Sequence, residues 1–143
     1  MIYKANFKNY LLVIFSFSVF FSCNKSKKEV IVQGNIINPM GETIQIVGPG
    51  EMEDGRLSLN FLREINIDEN GNFIDTLNLK SSAYFFFIHG RERTQLFLEP
   101  GNKLTINLDS RQFDESITFS GDGSENNTYL KKRFLYQENN GVN

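Results

Sequence analysis

The segment Glu29-Val30-Ile31-Val32-Gln33-Gly34-Asn35-Ile36, followed by Asn38-Pro39-Met40-Gly41 and then Thr43-Ile44-Gln45-Ile46-Val47, decides the fold class. Val30, Val32, Gly34 and Ile36 recur every second residue, the period of a strand with one buried face. Asn, Pro and Gly then supply turn chemistry, and Ile44 and Ile46 resume the alternation.

The same grammar continues downstream. Gly48 to Asn60, rich in Gly and acidic residues, reads as a long loop. Glu64-Ile65-Asn66-Ile67, the turn Asp68-Glu69-Asn70-Gly71 and the return from Asn72 to Leu79 read as a hairpin. Alternation from Phe73 to Leu79 puts Asp75 on the buried face, which predicts a bulge or an edge position there. Ala83 to Ile88 contains Tyr84-Phe85-Phe86-Phe87, apolar on both faces, and reads as a central strand covered on both sides. Thr94–Leu98 and Lys103–Leu108 flank Glu99-Pro100-Gly101-Asn102, whose Pro-Gly pair suits a type II turn and predicts a second hairpin. Ser116–Ser120 is the last strand. Ser124 is a candidate helix N-cap, with Leu130 and Phe134 as the apolar face and Lys131, Lys132 and Arg133 towards the C-terminal end.

These segments predict an all-β fold, a two-layer antiparallel β-sandwich of about eight strands with one short C-terminal helix. The expected organisation is a signal peptide over 1–22, a polar tether over 23–28, the sandwich over 29–121, and a short helix and tail over 122–143. With 40% hydrophobic residues, 14 Phe among them, the chain can fill one core.

The N-terminus has a different character. Lys4 and Lys8 precede an apolar run from Tyr10 to Phe21, too short for a transmembrane helix and suited to a cleaved export signal. Cys23, the only cysteine, closes that run, so neither an intrachain disulfide nor a Cys-x-x-Cys pair is available. The tetrapeptide Phe20-Phe21-Ser22-Cys23 resembles the lipobox of bacterial lipoproteins. Ser22 and Cys23 match it, while Phe20 and Phe21 stand where Leu and a small residue are usual. The resemblance implies acyl chains on Cys23 and a membrane-anchored protein of the cell envelope. An ordinary signal peptide, yielding an unanchored periplasmic protein, is the other reading. Lys25, Lys27 and Lys28 read as a solvated tether, which lacks the acidic residues that would resemble a surface-export signal and so tilts the expectation towards the periplasm.

Composition excludes several functions. Fifteen Lys and Arg against 17 Asp and Glu give a formal net charge of −2, and no basic stripe suits a nucleic acid. Asp68, Asn70 and Asn72 alternate like calcium ligands, yet the sixth and twelfth loop positions are Phe73 and Leu79, not Gly and Glu, so a turn is expected. His89, the only histidine, follows an aromatic strand, precedes a hairpin tip and reads as structural or solvated. Asp114 and Glu115 sit in a loop, and Gly121-Asp122-Gly123-Ser124 lacks the lysine of a phosphate loop. No catalytic residue, metal ligand or cofactor is expected.

Several segments together resemble one known module. Val32-Gln33-Gly34-Asn35-Ile36, Asn70-Gly71-Asn72-Phe73, the run from Leu96 to Ile106 across Pro100-Gly101, and Ile117-Thr118-Phe119-Ser120-Gly121 with Asn126-Asn127-Thr128-Tyr129-Leu130 carry the likeness. It is to the β-rich N-terminal domain, of unknown function, in TlpA-like thiol-disulfide oxidoreductase lipoproteins of Bacteroidetes, over residues 29–135. In that family a thioredoxin domain with a Cys-x-x-Cys pair follows and carries the redox chemistry. The resemblance therefore implies a non-enzymatic accessory or binding module that meets an unidentified envelope protein, whether as a truncated redox lipoprotein or as a stand-alone version. Asp75-Thr76-Leu77 resembles the O-glycosylation motif of exported Bacteroidetes proteins, with Thr76 as acceptor. The alternative from another class is a ligand-binding or small hydrolytic lipoprotein with a pocket between the sheets.

Overall fold

The computed structural model describes residues 28–53 and 56–141, so Cys23 and the segment expected as a signal peptide lie outside the described residues. Eight strands form among them: β1 (Glu29–Ile37), β2 (Thr43–Glu53), β3 (Arg56–Asn66), β4 (Asn72–Asn78), β5 (Ala83–His89), β6 (Glu92–Leu98), β7 (Lys103–Asp109) and β8 (Thr118–Gly121). Helix α1 (Phe113–Ser116) follows a 3-10 turn between β7 and β8, and α2 (Ser124–Asn139) closes the described chain. The strands make two four-stranded sheets, ordered β4-β1-β7-β8 and β3-β2-β5-β6. The all-β sandwich expected from the alternation is the fold observed.

One pairing departs from the antiparallel scheme. β1 and β7, the central strands of the first sheet, run parallel, with Gly34 opposite Ile106. Gly34 is on the inward face, and a Cβ there would stand 1.6 Å from the Ile106 carbonyl oxygen and 2.9 Å from the tip of the Phe73 ring. The missing side chain is thus what lets β7 approach and Phe73 lie across β1. Phe73 in turn meets Phe87 of the second sheet at 5.9 Å between ring centroids, and Phe87 meets Phe113 at 6.3 Å. This aromatic column joins the layers, and around it Val30, Val32, Ile36, Ile44, Ile46, Leu96, Leu104 and Ile106 are buried.

Connectivity differs from the expected hairpins. β3 and β4 lie in different sheets, as do β6 and β7, so the Asp68–Gly71 turn and the Pro100-Gly101 turn are corners between layers. Turn residues reverse a chain equally well within a sheet or between sheets, and strand alternation is the same in both cases. The real hairpins are β2–β3, β5–β6 and, across the α1 excursion, β7–β8. The segment expected as a loop over Gly48–Asn60 carries the β2–β3 ladder out to Glu53 opposite Arg56, with irregularities after Ile46 and Pro49. The alternation of Leu57, Leu59 and Phe61 was a strand signal that the Gly and acidic residues of the preceding stretch masked, and Pro49 is accommodated at a break in register. The last strand begins at Thr118 rather than Ser116 because Ser116 is folded into α1, its hydroxyl accepting from the Asp109 N–H and donating to the Asp109 carbonyl.

A sandwich has two open sides. Along one, the edge strands β3 and β4 are joined by Arg63 and Asp75, whose Nε and carboxylate are 3.0 Å apart. Asp75 is inward on edge strand β4 and half-buried, so the edge position expected for it is found, without a bulge in β1–β4. Along the other, α2 packs against the edge strands β6 and β8.

Replacing Gly34 by Ala should cost about 3 kcal/mol, the upper part of the overpacking range, because the nearest obstacle is backbone rather than a movable side chain. Urea unfolding should show the midpoint fall with little change in slope.

Candidate functional site

Buried polar groups are the first candidates for chemistry, and His89 is one of them at 1% exposure. It ends β5 and points inward in step with Phe85 and Phe87. The backbone N–H of Met40 donates to Nε2 at 2.8 Å, and Nδ1 lies 3.0 Å from the Thr43 carbonyl oxygen. An accepting Nε2 and a carbonyl partner together assign the proton of the neutral ring to Nδ1. Both nitrogens are committed to pinning the β1–β2 connection, so of the structural and solvated alternatives this histidine takes the structural one.

Asn127 and Ser110 are the buried polar residues that sequence reading missed, and of the two only Asn127 has its side chain hydrogen-bonded. It is fully buried on α2. Its Oδ1 accepts from the Phe97 N–H at 2.8 Å, and its Nδ2 donates to the Phe97 and Gly123 carbonyls, each at 2.9 Å. The side-chain amide therefore stands in for a neighbouring strand along the edge of β6. Its signal was a polar residue sharing a helix face with Leu130 and Phe134. α2 itself starts at Ser124 with Gly123, at φ 76°, as the N-cap, so Ser124 is the first helical residue and makes no cap. The helix runs on to Asn139, which leaves Lys131, Lys132 and Arg133 in its middle; Lys131 Nζ donates instead to the carbonyls of Glu115 and Ile117 at 2.8 and 2.7 Å.

The remaining sequence candidates do not converge. The Asp68 carboxylate accepts from the Asn72 N–H at 2.7 Å, the Asn72 side chain at 3.1 Å and the Asn70 N–H at 2.9 Å. These donors, the Asn72 N–H foremost, hold its pKa below the ordinary carboxylate value. The carboxylate is occupied in closing a turn, as expected for this sequence. Asp114 shows the reverse: partial burial, then the charges of Glu138, Glu92 and Glu115, raise its pKa against the opposing pull of Lys131. Thr76 lies on β4 beside Ile31 of β1, half-buried and on the opposite face from Phe73 and Leu77, with its N–H donating to Asp75 at 2.7 Å. Among the described residues no cluster of His, Cys, Asp and Glu could hold a metal, and no helix is long and apolar enough to cross a membrane.

The surface feature with shape and chemistry is a cleft between β6 and α2. Phe86, Arg93, Thr94 and Gln95 form one wall and Arg133, Phe134 and Gln137 the other, around about 240 Å³. The Arg93 guanidinium carbon lies 5.3 Å from the centroid of the Phe86 ring, and Arg133 donates to the Gln95 side chain at 3.1 Å. An adjoining cleft of about 220 Å³ shares Leu130 and Arg133 and is floored by Tyr84 and Phe97, whose rings are 5.0 Å apart. The outer face of β5 is thus only partly covered, with Tyr84 52% exposed, whereas the apolar run predicted cover on both sides. A continuous aromatic run cannot distinguish a second layer from a few flanking side chains.

No known protein family matches the chain, and no curated protein is similar to it. Among solved structures, one similar chain is a "putative cell adhesion protein" from Bacteroides ovatus ATCC 8483, at 10% identity and a TM-score of 0.39. The likeness covers 66% of this chain and 42% of that one, less than half its length. At that distance it carries no argument about function.

Replacing Asn127 by Leu should cost about 3 kcal/mol, because three backbone groups of β6 and the α2 start lose their partner inside the protein. The neighbouring exposed Asn126→Ala should stay within about 0.5 kcal/mol, and denaturant melts separate the two. The two perturbed aspartates have opposite pH signatures. The contribution of Asp68 is present above its unfolded pKa and is lost as the pH falls through its lowered folded value, so the deficit of Asp68→Ala should shrink in acid. The proton on Asp114 is bound more tightly in the folded state, so its contribution is lost as the pH rises through the raised value, and Asp114→Asn should be the more stable protein at neutral pH. Unfolding midpoints measured from pH 3 to 7 check both signs.

Proposed function

We propose that this chain is a lipid-anchored, non-catalytic binding module of the cell envelope, held to a membrane through acyl chains on Cys23, facing the periplasm and acting through contacts with another envelope protein. It resembles the N-terminal domain of TlpA-like oxidoreductase lipoproteins in the segments given above. The observation that carries the reading is that His89 and Asn127, two of the three buried polar side chains among the described residues, have their hydrogen-bonding atoms engaged by backbone groups, while the third, Ser110, whose Oγ has no partner, stands without a histidine or carboxylate bonded to it. The alternative, a pocket between the sheets, calls for space where Val32, Ile46, Phe87, Leu96 and Ile106 meet, and these are buried at or near zero exposure.

The way the sandwich is oriented also favours a tethered binder. Lys28 and Glu29 are fastened at one end, where their carbonyls accept from the N–H groups of Leu79 and Gly101 at 2.8 and 2.9 Å. At roughly 3.5 Å per residue, the few residues after Cys23 reach about 20 Å at most. That end is therefore kept near the headgroups. The β5–β6 turn, the Asp68 turn and the C-terminal half of α2 lie at the opposite end, open to partners in the periplasm.

In a bacterial host, wild-type protein should incorporate labelled fatty acid and show the mass of an acylated chain beginning at Cys23. Cys23→Ser should lose the label entirely. An unmodified polypeptide beginning at Met1 would overturn the anchor.

A further inference from the structure

We propose that the open edge of β6, between the Asn127 plug and the β5–β6 turn, is a docking slot for an extended, acidic segment of a partner protein. The proposal deepens the binding-module reading and rests on its premise of protein contacts, though not on the lipid anchor.

The orientation of the β6 backbone comes first. Both the N–H and the carbonyl of Phe97 point away from β5, since both are taken by Asn127 on the far side. β6 pairs with β5 without a register shift from Leu98 to Glu92, so peptide groups alternate in direction and those of Gln95 and Arg93 must face the same way as those of Phe97. Those two residues have no backbone partner on that side among the described residues. Asn127 thus caps the first of three outward-facing positions and leaves the other two open.

The cleft lies where these groups point. It is lined by Arg93 and Gln95, which share one face of β6, and also by Thr94 from the other face, as only a cleft at a strand's edge can be. Its far wall, Arg133, Phe134 and Gln137, belongs to the part of α2 beyond the Asn127 contact. An added strand would sit about 4.8 Å from β6 and hydrogen-bond to Gln95 and Arg93.

Charge selects the occupant. Arg93 and Arg133 line the slot, its lining holds no carboxylate, and neither guanidinium is ion-paired among the described residues, while Glu92 and Glu138, whose charges both bear on Asp114, lie next in sequence to Arg93 and Gln137 at its turn-side end. Arg93 rests on the Phe86 ring and Arg133 is oriented by Gln95, which holds both forks in place for a carboxylate. Phe86 and Phe134 offer an apolar surface to a neighbouring aliphatic side chain. A strand with Asp or Glu at one position and an aliphatic residue nearby satisfies the backbone, the cations and the rings together.

The test uses the full chain in detergent, with a phage-displayed random heptapeptide library as probe. Enriched peptides should carry Asp or Glu beside β-branched residues. A synthetic copy of the best peptide should lose at least tenfold in affinity when its acid is replaced by the amide. The same loss should follow from methylating the peptide nitrogens that face β6, and from the surface variants Arg93→Gln and Arg133→Gln. Circular dichroism should show those variants folded, and amide NMR should show the Gln95 and Arg93 N–H signals shifting and gaining exchange protection on binding. No enrichment, enrichment without acidic residues, affinity unmoved by nitrogen methylation, preference for an acidic oligosaccharide, or self-association through this edge would each overturn the proposal. The intact mass of the same preparation reports the Cys23 anchor separately, so failure of the slot and failure of the anchor are distinguishable.

Discussion

Gly34 is the constraint from which the interior follows. Because it has no side chain, β7 can lie close beside β1 in parallel, and the Phe73 ring can cross the gap to reach Phe87. Phe87 carries the contact to Phe113, which anchors the α1 excursion between β7 and β8. Removing the glycine would thus disturb a strand pair, the inter-sheet column and the β7–β8 connection at once. Buried aromatics contribute on the order of 3–5 kcal/mol each by truncation, so this column is a large part of a stability that totals only about 5–15 kcal/mol in an ordinary domain.

Closing the two open sides of the sandwich is a separate problem, solved differently on each. The β3–β4 side uses an ion pair between half-exposed partners, worth little energy but well suited to a wet edge. The β6–β8 side uses a helix, and there a buried amide replaces a missing strand neighbour at Phe97. An edge covered by one side chain at one position is only partly protected. The incomplete cover of β6 consequently leaves the outward-facing backbone groups of Gln95 and Arg93 without a backbone partner among the described residues.

The polar residues divide along the same line. His89 and Asp68 look like chemistry in the sequence because they are titratable, yet each is consumed in holding a connection, His89 the β1–β2 link and Asp68 its own turn, and Asp109 is likewise occupied by the N–H of Arg111 and the side chain of Asn38. Arg93, Arg133 and Gln95, unremarkable in sequence, gather at one cleft.

The period-two pattern and the punctuation of Gly, Pro and Asn determined the strands, the two-layer class and the inward faces, since alternation is a local property of a pleated chain and the core must take the apolar side. The apolar run from Tyr10 to Phe21 and the cysteine that follows it are equally local, legible as residue types in order. The partner of each strand was decided only in three dimensions, because a turn such as Asp68–Gly71 serves a hairpin or a corner alike, and the parallel β1–β7 pair joins residues some seventy positions apart. So was the site: Arg93 and Arg133 sit on different elements and meet only when α2 docks on β6 through Asn127, and the direction of a backbone N–H at a sheet edge is written in no residue type at all.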